Sequence, residues 1–217
     1  MLAHYVSKKI PSNSNLDDEV SYEEVKQALF SIHLDKAQGP DGFNAYFFHK
    51  VWHIVGDDLV AAIQSFFTSG HLLRELNNTA ITLIPKSQNP TRLLDFRPIS
   101  CCNTIYKCIS KIIANRIKGI LPNFIDKAQS AFIQGRRISD NILLAQELMH
   151  NYHRKDATSR STIKVDILKA FDTVSWTFIL DLLDLIGIPC KVIRWIRACM
   201  TSPSFSININ GELEGFF

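Results

Sequence analysis

The segment that most constrains the fold is residues 163–168 (IKVDIL), a short and largely apolar run that contains one carboxylate. A run of roughly four to eight such residues is typical of a buried β-strand. The pattern therefore predicts a strand that carries Asp166. A carboxylate held by a strand is suited to bind a divalent cation, although a site with two cations needs further carboxylates. After Asp166 the sequence contains no pair of adjacent aspartates.

Most of the remaining chain shows helical patterns separated by turn residues. A capping box at residues 21–24 begins the first of them. In the pattern at 139–153, Ile142, Ala145 and Met149 are expected to face the core. The predicted helices are 21–35, 45–52, 57–68, 103–118, 139–153, 176–186 and 191–200, and the predicted strands are 79–84, 163–168 and a hairpin that begins at 205. This order of elements predicts an α+β fold that is rich in helices.

Composition excludes several classes of protein. No apolar run reaches the roughly 18–20 residues of a membrane span, and the N-terminus lacks the pattern of a signal peptide. We therefore expect an intracellular protein without membrane contact. The chain has five cysteines, an odd number, and no C-x-x-C pair. Neither a disulfide partner nor a zinc site is expected.

Positive charge is concentrated in the middle of the chain. Residues 86–137 carry ten basic and two acidic groups, a net charge of +8, whereas residues 1–85 carry −4 and residues 138–217 carry −1. Such a region is typical of a surface that faces a polyanion. One predicted helix face in it is basic, with Lys107, Lys111, Arg116 and Lys118. Contact of Lys107, Lys111 and Lys118 with RNA and simple solvation of these lysines are both open.

Four segments in a fixed order carry a resemblance to a known family. They are 36–43 (KAQGPDGF), 83–86 (LIPK) with 95–100 (DFRPIS), 129–141 (QSAFIQGRRISDN) and 166–176 (DILKAFDTVSW). Together they resemble the reverse transcriptases of non-LTR, LINE-type retrotransposons, with a plant-like character. The resemblance implies an RNA-directed DNA polymerase, a nucleotidyltransferase with a right-hand fold. It further implies helix-rich fingers and an incomplete antiparallel palm sheet.

The resemblance assigns roles around the predicted strand. Asp166 matches the first catalytic aspartate of the palm, a ligand of both Mg²⁺ ions, and the backbone carbonyl of Ile167 would be a further metal ligand. Phe171 matches the bulky residue that stacks under the incoming sugar and rejects a 2′-hydroxyl, with a core phenylalanine as the alternative. Asp172 is expected to serve the start of a helix rather than a metal ion.

Three cations match the nucleotide-binding part of the family pattern. Lys86, Arg92 and Arg97 would lie on a fingers hairpin and grip the triphosphate of the incoming nucleotide. Which two of them touch phosphate is open, and Arg97 could instead be an ion-pair partner.

The template-side motif carries a second pair of cations. Arg136 and Arg137 follow Gly135, which suits a tight turn that approaches a nucleic-acid backbone. Asp140 and Asn141 are expected to cap or orient the helix that follows.

The resemblance also divides the chain and implies its partners. Residues 1–65 are predicted to form an N-terminal helical extension, and residues 66–217 a partial polymerase domain truncated before the paired-aspartate motif. The implied partners are an RNA template, a DNA primer and deoxynucleoside triphosphates, with the nucleus as the site of action. One carboxylate is too few for two metal ions, so the chain by itself is expected to be inactive. A nucleic-acid-binding remnant without catalysis and a decayed reading frame without function are the alternatives.

Overall fold

The computed structural model describes residues 9–10, 14–133, 135–150, 152, 161–167, 173–215 and 217. This part of the chain has an α+β fold, which confirms the predicted class. The helices are α1 (Tyr22–Phe30), α2 (Ala45–Lys50), α3 (Trp52–Ser69), α4 (Thr104–Lys118), α5 (Ile138–Met149), α6 (Trp176–Leu185) and α7 (Cys190–Thr201). The strands are β1 (Asn78–Pro85), β2 (Phe96–Cys102), β3 (Ser204–Ile209) and β4 (Glu212–Glu214).

The four strands form one sheet in the order β2-β1-β3-β4. β1 and β2 make an antiparallel hairpin in which Thr79 lies opposite Cys102 and Pro85 lies opposite Phe96. β3 runs parallel to β1, and β4 returns antiparallel to β3. The sheet is thus mixed, whereas an antiparallel palm sheet was expected. A parallel pair needs a long crossover, and residues 86–203, which include four helices of the described part, connect β1 to β3.

Helices α1, α3, α4 and α7 share one hydrophobic core. Val25, Ile63 and Ile112 are completely buried in it. Trp195 of α7 is 1% exposed. Its indole N–H donates to the Phe67 carbonyl at 2.9 Å. Its ring meets the Phe67 ring edge-on, with 4.8 Å between centroids. Because each such side chain contributes about 1.5–3 kcal/mol when it is removed from water, this core holds the fold together. The predicted domain boundary at residue 65 lies inside α3, and as a division of the chain it stays a prediction.

Local sequence explains where several helices begin and end. The Ser21 hydroxyl accepts a hydrogen bond from the Glu24 N–H at 3.1 Å, as the capping box predicts. The Asn44 side chain accepts from the Phe47 N–H at 3.0 Å and begins α2 in the same way. Gly70 ends α3 with φ of 72°, a left-handed conformation that costs glycine little.

Arg116 is only slightly exposed, which corrects its predicted place on the basic solvated face of α4. Its guanidinium donates to both carboxylate oxygens of Glu24, at 2.8 and 2.7 Å. It also donates to the carbonyls of Leu16 at 3.0 Å and Asp18 at 2.7 Å. The Arg116 side chain is only 11% exposed. A planar group with five donors can satisfy several acceptors at once, so Arg116 fastens the segment before α1 to α4.

The predicted inward face of α5 is wrong. Ile142 is 54% exposed and Met149 is 46% exposed, and Ala145 is exposed as well. α5 has no buried residue. The spacing of apolar residues was correct for a helix, but no neighbouring element covers them within the described part of the chain.

Residues 163–167 of the predicted strand have no regular secondary structure, and Leu168 lies outside the described residues. Ile163 and Val165 are 83% and 78% exposed. An apolar run becomes a strand only when a neighbouring strand accepts and donates its backbone hydrogen bonds. The four described strands form one sheet, and this segment is not part of it.

The five cysteines are free thiols. Burial raises the pKa of Cys108 and of Cys199 to about 12. These two thiols are therefore protonated core groups at neutral pH. Among the described residues, no helix has the length and apolar character needed to cross a bilayer.

Candidate nucleotide-binding hairpin and its surroundings

The β1–β2 hairpin brings two of the three predicted phosphate-binding cations together. The Lys86 N–H donates to the Asp95 carbonyl at 2.8 Å, which extends the ladder by one residue beyond β1. Arg97 lies opposite Ile84. Opposite residues share one face of a sheet, and so do residues two apart along a strand. Lys86 and Arg97 therefore lie on the same face of the hairpin.

The loop between the two strands is ordered by its own polar groups. The Asp95 carboxylate accepts hydrogen bonds from the N–H groups of Arg92 at 2.9 Å and Thr91 at 3.0 Å. The hydrogen bond from the Arg92 N–H, followed by that from Thr91, holds the pKa of the Asp95 carboxyl below its usual value. The positive charge of Lys86 lowers this pKa as well. The Lys86 ammonium donates to the Leu94 carbonyl at 2.6 Å. This contact orients the ammonium and leaves two of its three donors for a ligand.

Arg97 and Arg92 both have exposed side chains. The ion pairs within the described residues are His33–Asp35 and Arg116–Glu24. The alternative role of Arg97 as an ion-pair partner thus gains no support. Arg92 lies in the loop, where the ladder does not determine its face.

The predicted catalytic segment is described only in part. Asp166 and Ile167 are exposed. Phe171 and Asp172 lie outside the described residues, so their roles stay predictions. No group of three His, Cys, Asp or Glu side chains that could hold a metal ion occurs among the residues described. Mg²⁺ prefers near-octahedral oxygen coordination, and Asp166 with one carbonyl does not provide it. The described residues by themselves therefore do not fit a two-metal centre.

Arg136 is engaged with its own loop. Its guanidinium donates to the carbonyls of Asp126, Gln129 at 2.6 Å and Ile125 at 3.2 Å. These contacts hold the loop in place and leave less of the guanidinium for a nucleic acid. Arg137 has an exposed side chain. Nucleic-acid contact by either arginine stays a prediction.

The turn before these arginines has the predicted geometry. Gly135 has φ of 81°, a left-handed conformation. In the next helix, the Asn141 side chain donates to the Ala128 carbonyl at 2.8 Å and to the Ser130 hydroxyl at 3.0 Å. Asn141 thus ties the first turn of α5 to the preceding loop.

The first motif segment, residues 36–43, packs against the start of α4. A Cβ atom on Gly39 would lie 2.1 Å from the Asn103 side-chain oxygen and 2.5 Å from the Asn103 nitrogen, so only glycine fits there. The Asp41 N–H donates to the same Asn103 oxygen at 3.3 Å. The Thr104 hydroxyl donates to the Phe43 carbonyl at 2.8 Å. The sequence identified this segment as a motif, but its contact with α4 is visible only in the fold.

An exposed hairpin with aligned cations beside a basic helical region is an arrangement suited to phosphate-bearing ligands. The family model for reverse transcriptase (RNA-dependent DNA polymerase) matches residues 84–217, more than half of the chain. The chain belongs to the reverse transcriptase family.

Relatives support the predicted class within that family. The chain is 28% identical over 198 residues to the transposon TX1 uncharacterized 149 kDa protein of Xenopus laevis, across 91% of this chain and 15% of that protein. It is 24% identical over 180 residues to the retrovirus-related Pol polyprotein from type-2 retrotransposable element R2DM of Drosophila melanogaster, across 83% and 16%. It is 26% identical over 195 residues to the Pol polyprotein from type-1 retrotransposable element R2 of Nasonia vitripennis, across 89% and 18%.

These similarities confirm the LINE-type, non-LTR prediction, while the plant-like character stays a prediction. The chain spans less than a fifth of the length of each of these three relatives.

Proposed function

We propose that this chain forms the fingers and the first part of the palm of an RNA-directed DNA polymerase. In this proposal the β1–β2 hairpin binds the triphosphate of the incoming deoxynucleotide through Lys86 and Arg97. The observation that carries it is the ladder register, which aligns both cations on one face of an exposed hairpin. Arg97 would supply a planar, bidentate contact and Lys86 a point charge.

The charge balance of the hairpin supports a phosphate ligand. The Asp95 carboxylate is the acidic group closest to the two cations along the ladder, and backbone N–H groups occupy it. Within the described residues neither Lys86 nor Arg97 forms an ion pair. Two cations on a hairpin that is already ordered lose little entropy on binding an anion.

The remaining parts of the proposal follow the family. Reverse transcriptases use divalent metal ions and bind a template, a primer and deoxynucleotides. We propose Mg²⁺ as the ion, with Asp166 as one of its ligands, an RNA template and a DNA primer as partners, and the nucleus as the compartment. Because Asp166 is the one catalytic aspartate that the family pattern matches in this sequence, the purified 217-residue chain should bind nucleotides without extending a primer. Primer extension by this chain would contradict that expectation.

The hairpin is tested by titrating the purified chain with dTTP and following protein fluorescence. Lys86→Ala and Arg97→Ala should each weaken binding by about 10- to 150-fold, because each removes a charge-assisted contact worth about 1.5–3 kcal/mol. Thymidine, which lacks phosphates, should bind weakly and equally to all variants.

Arg74→Ala is the matched control, since Arg74 is exposed and precedes β1. Its dTTP affinity should equal that of the parent chain. An equal loss in this control, or unchanged affinity in both hairpin variants, would reject the proposed role of the hairpin.

A further inference from the structure

A groove of about 730 Å³ opens between the end of α1, strand β2 and α4. Three lysines and three hydroxyl groups line it, namely Lys36, Lys107, Lys111, Ser31, Ser100 and Ser110. Lys36 belongs to the first sequence motif, to which no site role was assigned. The groove lies outside the loop of the β1–β2 hairpin.

A second groove of about 490 Å³ continues along the same two helices. It shares Ser31 and Lys111 with the first and reaches Asn115 and Arg116. From Lys107 to Asn115, α4 rises by about 12 Å. A stacked single strand advances about 3.4 Å per phosphate, so the joined grooves, here called the α1–α4 groove, are long enough for about three nucleotides.

The lining of the α1–α4 groove is positively charged. It contains the four cations Lys36, Lys107, Lys111 and Arg116 and the single carboxylate Glu24, a balance of three positive charges. Glu24 is already held by Arg116 through two hydrogen bonds. The three lysines form no ion pair within the described residues. Their charge is therefore available to an anion.

The walls of the groove are held in place before any ligand binds. The Lys107 ammonium donates to the Ala37 carbonyl at 2.5 Å, which leaves two of its donors unused. Gly39 is packed tightly against Asn103. Both contacts attach the loop that carries Lys36 to the start of α4. These contacts therefore restrict the distance between Lys36 on one wall and the lysines of α4 on the other.

The floor of the groove is apolar, and the imidazole of His33 is the single aromatic ring among its lining residues. Ile32, Ala37, Ile99 and Ala114 contribute to it. Such a floor can contact sugars and base edges, while sequence-tolerant stacking would require aromatic side chains. The groove is therefore suited to a phosphate backbone rather than to particular bases.

We infer that the α1–α4 groove binds the sugar–phosphate backbone of a single-stranded polynucleotide, as a contact separate from Lys86 and Arg97 of the hairpin. The inference rests on the proposed function, because membership in a polymerase family is the reason to prefer a polynucleotide over another polyanion. Lys36 and Lys111 are the residues that contact phosphate in this arrangement.

The test measures fluorescence anisotropy of labelled twelve-nucleotide oligouridylate and oligothymidylate, which carry no triphosphate. The double variant Lys36→Gln, Lys111→Gln keeps much of each side chain and removes two charges. We expect it to bind both oligonucleotides about tenfold more weakly. The slope of log affinity against log salt should fall by about 1.4, which is about 0.7 for each phosphate that is no longer neutralised. If the double variant binds oligouridylate more weakly but binds oligothymidylate with parent affinity, the groove contacts a 2′-hydroxyl group. This result would also support the inference.

The matched control is the double variant Lys118→Gln, Lys127→Gln, which has the same net charge and alters two exposed lysines outside the groove. Its affinity should stay within about twofold of the parent chain. Equal weakening in both double variants, no weakening in either, or no oligonucleotide binding by the parent chain would overturn the inference. Equally strong competition by polyglutamate would overturn it too. Thermal unfolding of each variant verifies that it is folded.

The two proposals fail separately. The groove variant should bind dTTP with parent affinity, and the Lys86 and Arg97 variants report on dTTP binding directly. If the Lys86 and Arg97 variants bind dTTP with parent affinity while the groove variant binds oligonucleotides more weakly, only the triphosphate site is rejected. The reverse result would reject only the groove.

Discussion

Helices α4 and α5 have similar apolar patterns but very different surroundings. In α4, Cys108, Ile109, Ile112 and Ile113 are buried against α1, α3 and α7. In α5, every residue from Ile138 to Met149 is exposed. Both sequences predict a helix with an apolar side, and both helices form. The difference shows that periodicity determines which side chains share a face, whereas burial depends on a neighbour that covers that face.

The comparison extends to the two regions that contain these helices. The region around α4 is also fixed by polar contacts between distant segments, with Arg116 and Asn103 as their centres. The region from α5 to residue 167 contains the exposed side chains of Leu143, Leu148 and Val165. Stability should therefore depend strongly on the first region and weakly on the second.

The largest effect is expected for Trp195→Ala. The change removes a 1% exposed ring and its hydrogen bond to Phe67, and it should lower the free energy of unfolding by about 3–5 kcal/mol. Urea denaturation followed by circular dichroism measures it. Trp176→Ala is the matched control, because that ring is 54% exposed. Similar destabilisation in the two variants would contradict the assignment of the core.

A somewhat smaller effect is expected for Arg116→Ala. It leaves the half-buried Glu24 carboxylate and several carbonyls without their donor, which should cost about 3 kcal/mol. Arg116→Lys should recover only part of this stability, since lysine cannot form the bidentate contact. Lys118→Ala on the same helix serves as the control. Destabilisation of less than about 0.5 kcal/mol for Arg116→Ala would mean that the segment before α1 is not fastened as described.

The smallest effect is expected for Leu148→Ala in α5. Leu148 is 67% exposed, so the free energy of unfolding should change by less than about 0.5 kcal/mol. Ile112→Ala in α4 is the matched variant and should cost about 2–5 kcal/mol. If Leu148→Ala costs as much as Ile112→Ala, α5 is covered in solution and the contrast between the two helices is not real.

Much of the local structure could be predicted from the sequence. The start of α1 at the capping box, the end of α3 at Gly70 and the turn at Gly135 all depend on a few adjacent residues. The hairpin that carries Lys86 and Arg97 was implied by the family resemblance, although its second strand, β2, was not among the predicted strands. The predicted strand around Asp166 was wrong because its formation requires a partner strand far away in the chain.

The site residues divide in the same way. The motif order identified the family, which the match over residues 84–217 confirms. It also identified Arg136 as a cation near a turn. The sequence could not predict that Arg136 donates hydrogen bonds to three carbonyls of its own loop. The residue type is the same whether an arginine side chain is solvated or hydrogen-bonded to the protein.

The sequence by itself determined the helical pattern, the tight turns and the family, because these depend on backbone preferences and side-chain order over short distances. The tertiary structure alone decided that Arg116 binds Glu24, that β3 pairs parallel to β1, and that Lys36 and Lys111 line one groove. Each of these contacts joins segments separated by at least 75 residues. Such partners are chosen by how the whole chain packs, since many pairings satisfy the same local pattern.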